Sequence, residues 1–497
     1  MKFWLTSARV ALVSAGIALA GCSTIPKPQA IGSELVQQRV VQSWVTLTDQ
    51  SKLLAPEPDT YFASTQVLPL NIEVDASKRY QQMVGFGANI TDASAWLIQH
   101  RMSDQQRAAL MEELFGKAPG LGFSFTRLTI GASDFSLKHY TLDDVAPGET
   151  DYPLARFSID PMRAEVLPVL KQAMAINPKL TVMASPWSAP AWMKTNSRLS
   201  QGNLRPDAYD VYARYFGKFA DAMEAEGVPI YAVTVQNEPH FEPDDYPSMG
   251  FNSASRAQFI GEHLGPLFAK RSTPIRILDW DHNWDEPQAP LTVLADGKAR
   301  SYIAGVAWHC YKGNPTAQSQ VRDAYPGKDA YFTECSGGEG NAKWQETFPW
   351  NMRNLVIGAT RNWAKSVLMW NLALDENYGP HLGGCGDCRG IVIINSKTGE
   401  VTRNLDYYAL AHASRFVRVG AHRIDSTTGV EGLESVAFQN ADDQSIALIV
   451  LNSSAAPRHF SVRQAGETFG YSLQPGSAAT LVWSMVGVNA RMLVPLR

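Results

Sequence analysis

The chain has 497 residues, 45% of them hydrophobic and 19% charged, which allows a large buried core and excludes extensive disorder. A formal net charge of -4, without any run of Lys or Arg, gives no basic field for a phosphate backbone, so nucleic acid is excluded as a partner. The 13 Trp residues suit a surface that stacks on flat ligand faces.

In chain order, the first segment reads as a targeting signal. Lys2 and Arg9 form a positive start, followed by an apolar run from Val10 to Ala20 that is too short for a membrane span. Leu19-Ala20-Gly21-Cys22 resembles the lipobox of bacterial lipoproteins, in which cleavage leaves Cys22 as a lipidated N-terminus; Ser23 resembles sorting to the outer membrane. The expectation is an exported protein, anchored by lipid at Cys22, with residues 22–38 as a tether containing Pro26 and Pro28. Strand-like segments at Val40 to Leu47 and Leu70 to Asp75 come next, within a section assigned to 39–78.

From residue 79 to 415, short apolar runs alternate with amphipathic stretches, the pattern of repeated βα units. Strand candidates are Met83 to Gly87, Phe123 to Ile130, Leu180 to Ala184, Ile230 to Val235, Ile275 to Trp280, Ile303 to Trp308, Ala330 to Thr333 and Val367 to Asn371. Helical patterns lie between them, such as Ser103 to Leu114, with Ser103 as N-cap, and Asp207 to Glu226. Eight such units argue for a (β/α)8 barrel; no G-x-G-x-x-G follows the first strand to support an open doubly wound sheet. In residues 416–497, short alternating strands at Ser435 to Phe438, Ser445 to Asn452, His459 to Val462 and Ala479 to Trp483 predict a small antiparallel sandwich that the two early strands could complete.

Catalytic side chains of such a barrel sit at the C-terminal ends of its strands. The fourth strand ends in Gln236-Asn237-Glu238-Pro239 and the seventh in Thr333-Glu334-Cys335, which would set two carboxyl groups across the barrel mouth. Glycoside hydrolysis needs that pair, one group protonating the leaving oxygen while the other attacks the anomeric carbon or activates water. A gap of about 5–5.5 Å would mean retention, and roughly 6.5–9.5 Å inversion. Asn237 and Glu238 can both reach a sugar only if the chain bends or bulges there, because regular strand geometry points them to opposite faces.

Other strand ends add candidates. Gly85 to Asp92 would present Asp92 to hydroxyl groups, and Arg127 on the second strand would hold the nucleophile ionised through a charge-assisted hydrogen bond. Trp187 after strand three and Trp370 after strand eight are candidate sugar platforms, whereas Trp192 and Trp308 read as core. His309 and Tyr311 end strand six and join the substrate-binding set. His240, His282 and His309 form no H-E-x-x-H pattern, so neither a metal nor any other cofactor is expected. Cys385 and Cys388 lack the second pair of a zinc site and read as a loop-closing disulfide in an oxidising compartment.

The motifs GFGANITDASA, FTRLTIGASDFS, MASPWSAPAWMKTN, YAVTVQNEP, AWHCY, FTECSGG, WNLALDE and IALIVLN occur in order over residues 70–485. With them the chain resembles glycoside hydrolase family 30, in particular the glucosylceramidase-like members related to lysosomal acid β-glucosidase. The resemblance implies a barrel fused to a sandwich built from both chain ends, retaining chemistry without a cofactor, acid/base Glu238 and nucleophile Glu334. It also implies glucosyl contacts from Asp92, Trp187, Asn237 and Trp370, with Arg127 and Tyr311 beside the carboxylates. Asn89 and the Gly383 to Gly390 segment depart from the mammalian pattern, the latter looking more like bacterial and fungal relatives. A β-glucosidase of glucosylceramidase type, active in sphingolipid and carbohydrate metabolism, is the leading expectation, with an endo-β-1,6-glucanase as the alternative and a non-catalytic carbohydrate-binding lipoprotein as the rival from another class. The expected partner is a β-glucoside, glycolipid or β-glucan, with membrane contact through the anchor; nothing in the sequence sets the oligomeric state.

Overall fold

The computed structural model describes residues 39–63, 67–338 and 343–484. Cys22 and the expected signal and tether therefore lie outside the described residues. Among those described, no helix is long and apolar enough to cross a membrane.

Eight parallel strands form a barrel in chain order: Gly85–Asn89, Phe125–Thr129, Thr181–Ser185, Ile230–Thr234, Arg276–Asn283, Ile303–His309, Asp329–Glu334 and Ala364–Leu374. Below they are called barrel strands one to eight. Strand one pairs with strand eight, and its contact with strand two closes the ring through Ser124 N to Phe86 O (3.0 Å) and Ile90 N to Arg127 O (3.2 Å). The doubly wound alternative is thereby excluded. All eight predicted strands are present, shifted by a few residues at their ends, where pairing is decided by neighbours that a single segment does not reveal. The helix predicted from Ser103 spans Asp104–Phe115, with Ser103 and Gln106 forming a reciprocal capping box.

Strand periodicity builds the barrel interior in layers. Phe125, Met183, Ala232, Leu278, Ala307, Tyr331 and Leu368, one from each of strands two to eight, form a buried apolar plug. Two residues further along strands two, three and four the inward positions become Arg127, Ser185 and Thr234, all buried. The apolar plug thus carries a polar layer directly above it.

The second body is a sheet whose order is Glu467–Leu473, Arg458–Gln464, Asn71–Gln82, His422–Ser426, Leu433–Gln439, Ile446–Asn452, Ala478–Trp483, Val40–Thr46 and Ala55–Tyr61. Its two arms fold over one core, in which Phe62 packs edge-on against Phe469 (4.9 Å) and Trp483 (5.7 Å). Both chain ends build it, as expected, but the strand begun near Leu70 runs on to Gln82, past the section assigned to the sandwich, and pairs parallel with Arg458–Gln464. The last barrel helix, Leu405–Ser414, joins the two bodies: His412 shares its ring nitrogens with Thr480 Oγ1 and Thr46 Oγ1, each at 2.9 Å. Burial lowers the His412 pKa to about 3, so this ring joins the two bodies as a neutral imidazole.

Candidate active site

Strand four ends at Thr234, and Glu238 then takes a left-handed φ of 45°. That bend, rather than a bulge, brings both Asn237 and Glu238 over the barrel, at the backbone cost a non-glycine residue bears in this region. On strand seven the pairing with strand six shifts register between Phe332 and Glu334, which frees Glu334 from strict alternation. Glu238, Glu334 and His309 each place one atom within 4.8 Å of the others. The two carboxyl groups therefore meet over a gap that holds one reacting centre.

Arg127 organises the floor. Its guanidinium donates to Glu334 Oε2 (2.5 Å), Asn237 Oδ1 (2.7 Å), Asp281 Oδ2 (2.7 Å) and Ser185 Oγ (3.0 Å), with no exposed surface. Tyr311 donates its hydroxyl to the other Glu334 oxygen at 2.8 Å. Trp187 and Trp370 stack at 4.9 Å between centroids, 18° from parallel, and the guanidinium lies 4.8 Å from the Trp187 centroid. Trp192 and Trp308 are core residues.

His309 lies between Glu238 Oε1 (2.9 Å, from Nδ1) and Asp281 Oδ1 (3.0 Å, from Nε2). Burial alone would lower the pKa of this ring, but the charge of Glu334 and the bonds to Asp281 and Glu238 outweigh it and raise the value to about 9. Both nitrogens then carry protons and donate, so the ring bridges Glu238 to Asp281. Burial pushes the Glu238 pKa up; His309 opposes that shift, while the charge of Glu334 adds to it.

Several members of this network were not legible in the sequence. Asp281 accepts from Arg127, Ser185, Thr234, His309 and Thr333, and these donors overcome burial to hold its pKa far below the carboxylate range. In a regular strand Asp279 and Asp281 would share a face. Left-handed Trp280 and Asp281, at φ 78° and 57°, turn Asp281 into the barrel, while Asp279 binds Arg256 at 2.8 Å. His282, neutral because burial lowers its pKa to about 2, lies 3.9 Å from Glu238 Oε1.

Asp92, the candidate contact for a hydroxyl-rich ligand, follows the end of barrel strand one. Its carboxylate opens the helix Asp92–His100 and accepts from Tyr140 Oη at 3.0 Å, and among the described residues no hydrogen bond ties it to the glutamates. A further carboxyl group, Asp134 on the loop after strand two, feels the charge of the pair: burial and the charges of Glu334 and Glu238 raise its pKa to about 8. Its only sequence signal was a place inside the FTRLTIGASDFS motif. Cys385 and Cys388 are joined as a disulfide and pack, with Phe135 and Tyr246, on the Trp187–Trp370 pair. A second disulfide, Cys310–Cys335, was not anticipated.

A (β/α)8 barrel with two facing strand-end carboxyl groups, a charge-balanced floor and a stacked tryptophan wall defines a glycoside hydrolase. The chain belongs to glycosyl hydrolase family 30: residues 83–417 match its TIM-barrel domain and residues 420–481 its β-sandwich domain. It is 33% identical over 442 residues to an endo-1,6-beta-D-glucanase of Neurospora crassa, covering 85% of this chain and 90% of that protein. The lysosomal acid glucosylceramidase of Mus musculus is more distant, at 27% identity over 83% of each chain. Among solved structures, an endo-beta1,6-glucanase superposes with a TM-score of 0.83 at 32% identity, covering 90% of this chain and all of that one.

Proposed function

We propose that the protein is a retaining hydrolase of β-1,6-linked glucan. Glu238 would protonate the glycosidic oxygen while Glu334 attacks the anomeric carbon, forming a covalent glycosyl-enzyme; Glu238 would then take a proton from the water that releases it. The observation that carries this reading is the approach of the two carboxyl groups, one oxygen of each within 4.8 Å of the other, which fits the closer spacing of a retaining enzyme. Arg127 and Tyr311 would orient Glu334, Trp187 and Trp370 would offer apolar faces, and Asn237, Asp92 and Asp134 would meet hydroxyl groups.

The choice of glucan over the glucosylceramide expected from the motifs is supported by relatives named as endo-1,6-β-glucanases at 33% and 35% identity, against 27% for the mouse glucosylceramidase. Incubating the purified chain with β-1,6-glucan oligomers and with glucosylceramide tests it. Release of sugar from the glycolipid alone would overturn the glucan reading, and a first-formed α-anomer by NMR would overturn retention. Anchoring by lipid at Cys22 to the outer membrane belongs to the same proposal; Cys22→Ala should move the protein from the membrane to the soluble fraction, and an unchanged partition would refute it.

A further inference from the structure

The Cys310–Cys335 disulfide lies across the ends of barrel strands six and seven, with Cα atoms 5.3 Å apart. Its neighbours are the site itself. Cys310 separates His309, which binds Glu238, from Tyr311, which binds Glu334. Cys335 follows Glu334, and its carbonyl accepts the backbone N–H of Trp370 at 2.8 Å. Between the same two strands the ladder shifts register between Phe332 and Glu334, so the pair Glu334–His309 stands beyond an irregularity, at the end of the ladder and next to the disulfide. Both half-cystines are buried, at 7% and 2% exposure, which places the bond inside the structure and not on a surface loop.

We propose that Cys310–Cys335 is a positioning clamp for the hydrolytic pair, so that turnover depends on this bond being oxidised. The inference rests on the assignment of Glu238 and Glu334 as the reacting groups. One covalent link ties the backbone segment that supplies His309 and Tyr311 to the segment that supplies Glu334 and anchors Trp370. Opening it lets the two strand ends slide, and a misplacement of about 1 Å at reacting groups costs on the order of 10²-fold in rate. A dithiol supplies the two electrons and two protons that turn the bond into two thiols, itself closing to a disulfide. Activity is then matched to an oxidising compartment.

The test is Cys310→Ala/Cys335→Ala, assayed on an aryl β-glucoside and on β-1,6-glucan oligomers. The expected result is kcat lowered about 10–10²-fold with KM little changed, together with a displaced alkaline limb of kcat/KM because His309 no longer holds Glu238 in place. A variant with unchanged circular dichroism, kcat and pH limbs would overturn the clamp. Should the variant not fold, graded dithiothreitol on the wild-type chain, with peptide mapping of thiols, reads the same quantity. Loss of activity should follow opening of Cys310–Cys335 rather than Cys385–Cys388, and reoxidation should restore it; full activity under reductant in molecules with both Cys310 and Cys335 as thiols would overturn the proposal. A wild-type chain inactive on every β-glucoside would instead defeat the functional reading.

Discussion

His309 Nδ1 donates to Glu238 Oε1 at 2.9 Å, which places a positively held ring against the carboxyl group assigned to proton transfer. Arg127 and His309 supply two positive charges, and Glu334 and Asp281 two negative ones. Among the described residues, the basic groups against Glu238 are His309, already shared with Asp281, and the neutral His282. Glu238 is thus the member of the cluster for which holding a proton costs least, which agrees with its raised pKa and with the part of general acid.

Replacing Glu238 by Gln should slow poor leaving groups by roughly 10²–10⁴-fold while sparing the first step on activated aryl glucosides. External azide should rescue the second step and yield a β-glucosyl azide. Equal loss on all substrates would contradict the acid/base role. The alkaline limb of kcat/KM should also vanish in this variant.

Glu334→Gln should abolish turnover on every substrate, by on the order of 10⁴-fold or more, because the covalent intermediate cannot form. Mass spectrometry with an activated 2-fluoroglucoside should show adduct on the wild-type peptide holding Glu334. Labelling elsewhere would displace the nucleophile assignment.

Asp281→Asn removes the negative charge and turns one of the two oxygens that accept from five donors into an NH2 donor, leaving Arg127 and His309 undercompensated, a loss of about 3–5 kcal/mol. The pH dependence has a definite sign. His309 titrates at about 9 in the folded chain against roughly 6.5 unfolded, so its stabilisation is complete below pH 6.5 and disappears as pH rises through 9. Thermal melts of the wild type should decline over that window, and those of Asp281→Asn should be flatter; parallel curves would refute the coupling.

Asp134→Asn tests the neutral carboxyl group. Its folded pKa of about 8 lies above an unfolded value of roughly 3.9, so the wild type loses stability as pH rises between those values. The Asn variant should melt a few degrees higher than wild type at pH 7 and equally at pH 4. Asp134→Ala, which also removes the hydrogen-bonding group, should lower kcat/KM by about 10–10²-fold.

The barrel was legible because its strands announce themselves as short apolar runs, and Glu238 and Glu334 because each stands at the close of such a run. What escaped depends on departures from regular geometry. The left-handed turn at Trp280 and Asp281 sends two acids of equal spacing to different places, and no composition or period signals it. Asp134 lies on a loop, where position relative to the barrel mouth comes only from folding. Cys310 and Cys335 stand 25 residues apart, and nothing short of knowing that strands six and seven are neighbours pairs them. Glu467–Leu473 and Ala55–Tyr61 were missed because the first is interrupted by Gly470 and the second carries Pro56 and Pro58, both weak strand formers.

The edge-to-edge joining of Val40–Thr46 with Ala478–Trp483 has a kinetic corollary. During synthesis Val40–Thr46 has no partner on that side until Ala478–Trp483 has been made, so this pairing must close a very long loop. Cutting away the six residues Ala478–Trp483 would strip one neighbour from each of two strands, Val40–Thr46 and Ile446–Asn452, and a lesion at one terminus would be felt at the other.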